Sequence, residues 1–304
     1  MSSVPTAALP TATSPELRAR EHAIAVVIPV RDERVDLGAL VDSIAAALRG
    51  RAFEVALVDD GSQERIELLP RPFLRLLRHE TGRGYGAALK TGIRATQAPW
   101  IAILDADGTY APADLARLLA RLDEGADMAI GDRRGSDGSS ALRRAPKALL
   151  RRFASAVTGE AIPDLNSGLR VFRRELALEC WELLPQGFSF TSTITVSALA
   201  RGRRVEWLPI ELARRVGRSK IRPLRDTMAF TALLVRLALW FDPLRVFLPL
   251  AALFGLLALG CGIYDVSQGN LADKTVLLFV AFVQLLAVGA LADLVLRRGR
   301  ERSP

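Results

Sequence analysis

Short apolar runs recur along the first two thirds of the chain, and polar residues follow each of them. The runs lie at 24–30, 55–58, 74–77, 101–104 and 128–130. They are rich in valine and isoleucine and do not alternate with polar residues, which is typical of strands covered on both faces. Segments with helical spacing lie between them, at about 35–49, 86–96 and 112–122. This order predicts an α/β fold with a mostly parallel sheet flanked by helices.

Acidic residues gather where the predicted strands end. Those ends read VIPVRDE, VDDGS, ILDADG and AIGDRR, and ligands bind outside the carboxyl ends of the strands in an open parallel sheet. Asp105 and Asp107 stand one residue apart, so both carboxylates can reach one hard cation such as Mg²⁺ or Mn²⁺. The alternative is an exposed turn, where aspartate and glycine are common. Asp60 follows another strand and is placed either to accept hydrogen bonds from a base or ribose or to cap a turn.

The stretch HETGRGYGAALKTG imitates a dinucleotide-binding fingerprint. Gly82, Gly84 and Ala87 fit the pattern GxGxxA, and an acid, Asp105, follows at about the 20-residue distance of the fingerprint. The fingerprint belongs after the first strand of its fold, whereas this stretch follows the third predicted strand. We therefore interpret it as a glycine-containing turn that leads into a helix beside the ligand site.

Two long apolar segments near the C-terminus add predicted membrane spans to the α/β domain. Residues 246–264 carry no charge, and residues 275–296 carry one acid, Asp293. Each is long enough to cross a hydrocarbon core of roughly 30 Å. Arginine-rich segments precede the first span and follow the second, where the chain reads RRGRERSP. The positive-inside rule therefore predicts a multi-pass protein of the cytoplasmic (inner) membrane, with the large N-terminal domain on the cytoplasmic face.

These patterns divide the chain into five parts. We predict a disordered tail over 1–22 and an α/β domain over 23–222. A juxtamembrane amphipathic helix over 223–243 and a two-helix transmembrane hairpin over 244–298 follow, and a basic cytoplasmic tail covers 299–304. The juxtamembrane segment holds Arg236 midway, which favours a helix lying in the membrane interface. If this helix spanned the membrane instead, the C-terminal arginines would lie outside, against the positive-inside rule.

The chain of 304 residues has a formal net charge of +8, and its basic residues cluster in two places. Residues 133–152 hold seven arginines and lysines against one acid, Asp137, and a second cluster covers 201–225. Such clusters either bind phosphorylated ligands or anchor a protein beside anionic lipid. We exclude nucleic acid because no recognition motif is present and the basic residues cluster toward the membrane segments.

Cysteine and histidine are scarce. The two cysteines, Cys180 and Cys261, stand far apart without zinc-site spacing, and the two histidines are His22 and His79. This indicates a reducing compartment and no disulfide framework. Acid–base or metal chemistry must therefore depend on carboxylates.

Taken together, the motifs resemble those of a known enzyme family. VIPVRDE, VDDGS, GYGAALKTG, LDADGTY, IGDRR, DLNSGLR and RRVGRSK occur in this order within residues 24–222. They are similar to the motifs of family 2 glycosyltransferases, which have the Rossmann-like GT-A fold. Their order resembles the polyprenyl-phosphate (dolichol-phosphate) hexose synthases most closely, and the membrane hairpin suits the multi-span branch of that family. The motifs are very specific for the superfamily and less specific for the lipid acceptor, and they indicate the sugar only weakly.

The resemblance implies roles for individual residues. Asp105 and Asp107 would bind the divalent cation, Mg²⁺ or Mn²⁺, that bridges the donor diphosphate. The implied nucleotide-sugar site consists of Pro29, Glu33, Asp60, Asp105, Ala106, Asp107, Arg214 and Lys220. Arg133 and Arg143 would hold the acceptor phosphate, and the implied catalytic residues are Asp107, Asp164 and Arg133. The chain departs from the family at Asp32, where asparagine is common, and at Lys147, where serine is common.

The implied reaction transfers a hexose from a UDP- or GDP-linked sugar to polyprenyl phosphate, with inversion at the anomeric carbon. A phosphate nucleophile is already largely ionised at neutral pH, which fits the scarcity of histidine. Two alternatives stay open: transfer to another lipid or glycan acceptor, and a non-catalytic membrane-tethered protein that binds nucleotide sugars. The lack of a QxxRW signature argues against a processive polysaccharide synthase. Formation of a homo-oligomer through the hairpin also stays open.

Overall fold

The computed structural model describes residues 23–133, 155, 158–187, 189–213 and 243–301. These residues divide into two compact units. The first contains 23–133, 166–187, 189–191 and 204–213, and the second contains 155, 158–165, 192–203 and 243–301. The predicted tail over 1–22, nearly all of the predicted juxtamembrane helix, and Arg143, Lys147, Arg214 and Lys220 lie outside the described residues.

The first unit is built on one seven-stranded sheet. Its strands are β1 (Ile24–Val30), β2 (Phe53–Asp59), β3 (Leu74–Arg78), β4 (Trp100–Leu104), β5 (Met128–Asp132), β6 (Leu169–Arg173) and β7 (Val205–Pro209). They are ordered β3-β2-β1-β4-β6-β5-β7. β6 runs antiparallel to β4 and β5, and all other neighbours are parallel. The predicted, mostly parallel sheet is confirmed, and β6 makes it mixed.

Seven helices accompany the strands in the described residues. They are α1 (Leu37–Ala47), α2 (Tyr85–Ala95), α3 (Asp114–Asp123), α4 (Arg174–Glu179), α5 (Phe190–Ala200), α6 (Leu244–Ser267) and α7 (Asp273–Glu301). Asp36 caps the N-terminus of α1: its side chain accepts a 2.9 Å hydrogen bond from the Ala39 N–H and so satisfies a free donor of the first turn. In α2, a Cβ on Gly92 would overlap Val27 of β1, so glycine lets this helix pack closely on the sheet.

The central strands are buried on both faces, as their continuous apolar runs predict. Every residue of β4 and β5 is buried, and in β1 only Pro29 is partly exposed. The edge strand β3 differs, because its two arginines and Leu76 are exposed. Each fully buried valine or isoleucine contributes about 1.5–3 kcal/mol to stability. The apolar strands therefore form a rigid base from which the polar strand ends extend.

The second unit includes a hairpin of two long apolar helices. Val246–Ser267 in α6 and Asp273–Leu296 in α7 are each long and apolar enough to cross a membrane. Small residues of one helix meet aromatic residues of the other: a Cβ on Gly255 would lie 3.0 Å from the Phe282 ring, and one on Gly289 would lie 2.8 Å from Phe247. These contacts pack the two helices along one shared face.

Candidate active site

Parallel strands bring the predicted site residues to one edge of the sheet. β1, β2 and β4 are parallel neighbours, and the residues that follow them are 31–33, 60 and 105–107. β5 points the same way as β4, because β6 is antiparallel to both. Arg133 therefore leaves the sheet at the same edge as the acids.

Asp105 is held at the end of β4 by a hydroxyl group and a glycine. Its Oδ1 accepts a 2.7 Å hydrogen bond from the hydroxyl of Tyr85, the first residue of α2. A Cβ on Gly168 would overlap the Asp105 carboxylate, so glycine leaves the room that the carboxylate occupies. The Asp105 side chain is thus fixed from two sides, while the residue keeps partial contact with solvent.

The surroundings of Asp105 disfavour its negative charge. Burial raises the pKa of Asp105 from 3.8 to about 6; the hydrogen bond from Tyr85 lowers the pKa, and the charge of Asp107 raises it. The positive charges of Arg133 and Arg170 also lower it. Burial raises the pKa of the Tyr85 hydroxyl well above its usual value, so this hydroxyl stays protonated and donates. A cation at this place would favour the ionised form of Asp105.

Asp107 lies in a turn that its own side chain closes. Its Oδ1 accepts hydrogen bonds from the Thr109 N–H (3.1 Å) and the Thr109 hydroxyl (2.6 Å), which is typical of an aspartate-stabilised turn. Gly108 between them has a φ of 75°, a left-handed conformation that glycine adopts readily. Asp107 is only 8% exposed and is therefore held firmly beside the end of β4.

The two carboxylates fit a hard cation with few protein ligands. Within the described ranges, no three histidine, cysteine or acidic side chains cluster closely enough to hold a metal ion. Mg²⁺ usually binds one or two carboxylates and takes its other oxygen ligands from water and substrate phosphates. Asp105 and Asp107 supply that number of carboxylates, so the site suits a cation that binds together with a diphosphate.

A buried arginine and a tyrosine hold the loop that contains Gly168. The Gly168 N–H donates a 2.7 Å hydrogen bond to the Tyr110 hydroxyl oxygen. Arg170, on β6, is fully buried and donates 2.6 Å hydrogen bonds to the carbonyl oxygens of Ser167 and Thr191. These contacts fix the glycine that makes room for the carboxylate at the end of β4.

Positive charge and the segment before the RRVGRSK motif both come close to the acids. Arg133 directly follows β5, and its charge lowers the pKa of Asp105. The Ala213 N–H donates a 3.0 Å hydrogen bond to the carbonyl oxygen of Thr109, in the turn after β4. Ala213 immediately precedes RRVGRSK in the sequence, so this hydrogen bond ties the residue before the motif to the turn after β4.

Asp60 holds the turn that leads into α2. Its carboxylate accepts hydrogen bonds from the N–H groups of Arg83 (2.8 Å) and Gly84 (2.9 Å), and His79 Nδ1 lies 2.8 Å from it. Asp60 is almost completely buried. Its contact with a base or ribose stays a prediction. The structure adds a positioning role, because this turn immediately precedes Tyr85.

The loop after β1 is tied to the loop after β2 through Asp32. The Asp32 N–H donates to Ser62 Oγ (3.0 Å), and Asp32 Oδ1 accepts from the Gln63 N–H (2.8 Å). Asp32 has a φ of 48°, a left-handed conformation in which asparagine and aspartate are enriched. This shared tolerance explains how aspartate can stand where the resembled family often has asparagine.

The predicted site residues fall into three groups. Those at the strand-end edge of the first unit are Pro29, Glu33, Asp60, Asp105, Ala106, Asp107 and Arg133. Asp164 is half-buried and belongs to the second unit. Arg143, Arg214 and Lys220 lie outside the described residues. The individual roles of all these residues stay predictions.

Sequence patterns do not identify three residues that act on Asp105. Tyr85 donates to it, Gly168 makes room for it and Arg170 offsets its charge. Tyr85 stands in the GYGAALKTG motif, and the other two stand in DLNSGLR. Both motifs are visible as polar loops beside apolar runs, and this is the signal that could have singled out these residues.

Comparison with known proteins agrees with this architecture. A family model described as glycosyl transferase family 2 matches residues 25–181. This range is more than half of the chain and includes β2 to β6, all of β1 except its first residue, and both acids after β4. The chain belongs to glycosyl transferase family 2. A second family model, the GtrB C-terminal hairpin, matches residues 242–297, which hold α6 and most of α7. The protein is therefore a glycosyltransferase with an apolar C-terminal hairpin, as the motifs predicted.

Three relatives of this glycosyltransferase carry informative names. The dolichyl-phosphate hexose transferase of Haloferax volcanii is 27% identical over 219 residues, covering 71% of this chain and 94% of the relative. Glycosyltransferase AglJ of the same organism is 29% identical over 262 residues, covering 82% and 86%. The undecaprenyl-phosphate 4-deoxy-4-formamido-L-arabinose transferase of Pseudomonas fluorescens is 31% identical over 220 residues, covering 67% and 62%. The chain thus spans less than two thirds of the Pseudomonas relative.

Solved structures share the fold of the glycosyltransferase. Glucosyl-3-phosphoglycerate synthase from Mycobacterium tuberculosis, in complex with Mn²⁺, UDP and phosphoglyceric acid, superposes with a TM-score of 0.56. The match covers 77% of this chain and 85% of the synthase at 21% identity. This similarity confirms the predicted GT-A fold.

Proposed function

We propose that this glycosyltransferase moves a hexose from a nucleotide sugar to polyprenyl phosphate at a membrane surface. The proposal rests on one combination: Asp105 and Asp107 at the end of β4 occur in the same chain as a hairpin of two apolar helices. The acid pair suits a donor that carries a diphosphate, and the hairpin suits an acceptor that resides in a membrane. The names of the Haloferax and Pseudomonas relatives support the same class of acceptor.

The donor binds at the strand-end edge of the sheet in this proposal. Asp105 and Asp107 would hold Mg²⁺ or Mn²⁺, which when bound supplies a Lewis acid for the charge of the leaving diphosphate. Tyr85 orients Asp105 through its 2.7 Å hydrogen bond. Pro29, Glu33, Asp60 and Ala106 would line the nucleotide side, and the RRVGRSK motif predicts that Arg214 and Lys220 contact the phosphates. The Mn²⁺ in the mycobacterial complex supports a divalent cation.

The acceptor phosphate needs positioning more than activation. A phosphomonoester has a second pKa of about 6, so it is largely a dianion at neutral pH. In this proposal Arg133 attracts and orients this dianion, and the acceptor roles of Arg143 and Asp164 stay predictions from the sequence motifs. One phosphate oxygen forms a bond to the anomeric carbon as the bond to the nucleoside diphosphate breaks, which inverts the configuration. The protein contributes alignment and preorganised charge.

The hairpin places the reaction at the cytoplasmic face of the inner membrane in this proposal. Both ends of the hairpin are flanked by arginine-rich segments, and the positive-inside rule puts such segments in the cytoplasm. The predicted amphipathic helix over 223–243 would then lie along the same surface. In this proposal the hairpin keeps the enzyme on the membrane that carries the acceptor lipid.

The proposal is tested with purified full-length protein and two matched acceptors. Radiolabelled UDP- and GDP-sugars are incubated with Mn²⁺ and either polyprenyl phosphate or the corresponding polyprenol, and label in the organic phase is counted. We expect lipid-linked label from one donor with polyprenyl phosphate, and none with the polyprenol that lacks the phosphate nucleophile. Equal labelling of both lipids, or donor hydrolysis with no labelled lipid, would count against the proposed acceptor.

A further inference from the structure

His79 is a buried histidine just after β3, and both nitrogens of its ring have a partner. Nδ1 lies 2.8 Å from Asp60 Oδ1, and Nε2 lies 2.9 Å from the hydroxyl oxygen of Thr91 in α2. His79 is only 6% exposed. Carboxylate oxygens accept hydrogen bonds, so Nδ1 carries the hydrogen and donates it, whereas a hydroxyl can serve Nε2 as donor or acceptor. The ring therefore joins the carboxylate that follows β2 to α2.

The other donors to the Asp60 carboxylate come from a more exposed turn. Oδ1 also accepts a hydrogen bond from the Arg83 N–H, and Oδ2 accepts one from the Gly84 N–H. Arg83 is exposed and Gly84 is partly exposed. The backbone of His79, by contrast, is held to the sheet, because its N–H donates a 2.9 Å hydrogen bond to the carbonyl oxygen of Asp59. His79 is thus the donor that fixes Asp60 relative to the sheet.

Most acceptor positions on the Asp60 carboxylate are thereby occupied. A carboxylate offers about four lone-pair positions on its two oxygens. Among the described residues, Oδ1 has the donors His79 and Arg83, and Oδ2 has the donor Gly84. One position therefore remains, and it is on Oδ2. A guanidinium nitrogen of Arg31 lies 3.9 Å from Oδ2, and the Arg31 side chain is half exposed, so Oδ2 is the oxygen nearer the open edge of the sheet.

We propose that His79 is a positioning residue for the donor nucleotide. By donating to Oδ1, it orients the Asp60 carboxylate so that the remaining position on Oδ2 accepts one hydrogen of the nucleoside. This hydrogen belongs to the ring N–H of the base or to a ribose hydroxyl. A nucleoside reaches Oδ2 when the long, half-exposed side chain of Arg31 turns aside. This inference rests on the proposed function, in which Asp60 belongs to the donor site.

The test combines changes in the ligand with changes in the protein. Binding of UDP and GDP to purified full-length protein is measured by calorimetry in detergent with Mn²⁺. The nucleotide that binds more tightly is then compared with its 2′-deoxy analogue and its ring-N-methylated analogue. In wild type, we expect the analogue that lacks the bonded hydrogen to bind about 10- to 100-fold more weakly, the range for a hydrogen bond to a charged group. The analogue that loses affinity shows whether the base or the ribose contacts Asp60.

Variants of His79 and Thr91 remove the positioning contact in steps. His79→Phe keeps a flat ring without a donor, and we expect the affinity ratio between the nucleotide and its weaker analogue to fall close to 1. Thr91→Val removes the hydroxyl that holds the ring, and the ratio should fall part of the way. His79→Asn keeps an amide that can donate to Asp60 and should retain most of the ratio. Thr96→Val is the matched control, because the Thr96 hydroxyl bonds to carbonyl groups of α2 itself, and it should keep the full ratio.

Three outcomes would overturn the inference. Wild type that binds both analogues as tightly as the parent nucleotide would show that no hydrogen of the nucleoside bonds to Asp60. A lower affinity of His79→Phe with an unchanged ratio would show that the histidine only stabilises the fold. An equal fall of the ratio in Thr91→Val and Thr96→Val would show that the effect does not pass through the ring of His79. If His79→Phe does not fold, the two threonine variants carry the same test. Wild type that binds neither UDP nor GDP would instead overturn the proposed function.

Discussion

Asp105 is expected to make the metal-free protein less stable at neutral pH, and replacing it with asparagine should reveal this. The folded-state pKa of Asp105 is about 6, against 3.8 for an unperturbed aspartate. The folded state therefore favours the protonated form, and the destabilisation grows as pH rises from about 4 to 6 and is complete above that range. A shift of this size corresponds to about 3 kcal/mol at pH 7.5 and to about half of that at pH 5.

Asp105→Asn removes the charge but keeps an oxygen that can accept the hydrogen bond from Tyr85. We expect the metal-free variant to be more stable than wild type at pH 7.5 by up to about 3 kcal/mol, or roughly 6–12 °C in Tm. At pH 5 this advantage should shrink to about half. Adding Mn²⁺ should stabilise wild type by about 2.7 kcal/mol at a hundred times its Kd, and should leave the variant unchanged.

The assay is thermal unfolding of the full-length protein in detergent, with and without Mn²⁺, at both pH values. Asp123→Asn is the matched control: Asp123 forms a surface ion pair with Arg51, and its loss should change stability by less than about 1 kcal/mol. The reasoning is refuted if metal-free Asp105→Asn melts at or below wild type at pH 7.5. It is refuted equally if the variant keeps the full Mn²⁺ stabilisation.

Three further changes test the geometry around Asp105 through Mn²⁺ titration in the presence of a nucleoside diphosphate. Tyr85→Phe should weaken Mn²⁺ binding about 10- to 100-fold, because the variant loses the hydroxyl that orients a metal ligand. The control Tyr264→Phe should bind Mn²⁺ as wild type does. Equal Mn²⁺ affinities of the two variants would contradict the role of the Tyr85 hydroxyl. Gly168→Ala should abolish Mn²⁺ binding, because the added methyl group overlaps the Asp105 carboxylate. The control Gly187→Ala should bind Mn²⁺ normally, because Gly187 has open space around it. Normal binding by both variants would show that the loop containing Gly168 adapts to the methyl group. In wild type, Mn²⁺ affinity should fall about tenfold from pH 7 to pH 5, because protons compete for a group with a pKa of about 6; a flat profile would contradict that pKa.

Most of the fold follows from the apolar runs. The runs that form β1, β4 and β5 do not alternate, and the structure buries these strands on both faces. The antiparallel placement of β6 between β4 and β5 could not be predicted in the same way. Its run, 169–173, follows a loop that carries no marker of direction, and its neighbours are set by contacts distant in sequence.

The candidate site likewise contains residues that local sequence predicts and residues that only the fold reveals. Asp105, Asp107 and Arg133 directly follow apolar runs, and chemistry at strand ends could therefore be predicted from local sequence. Tyr85 and Gly168 act through contacts that span 20 residues or more of sequence or depend on the absence of a Cβ. A glycine in a turn looks the same whether it relieves backbone strain or makes room for a carboxylate, so only the fold distinguishes these cases.

The most direct test of the central claim is the mass of the lipid after reaction. Purified full-length protein is incubated with Mn²⁺, polyprenyl phosphate and the nucleotide sugar that is consumed, and the extracted lipid is analysed by mass spectrometry. We predict a polyprenyl phosphate that has gained one hexosyl residue, and no such product from Asp105→Asn. A lipid of unchanged mass alongside consumed donor would contradict the transfer of sugar to polyprenyl phosphate.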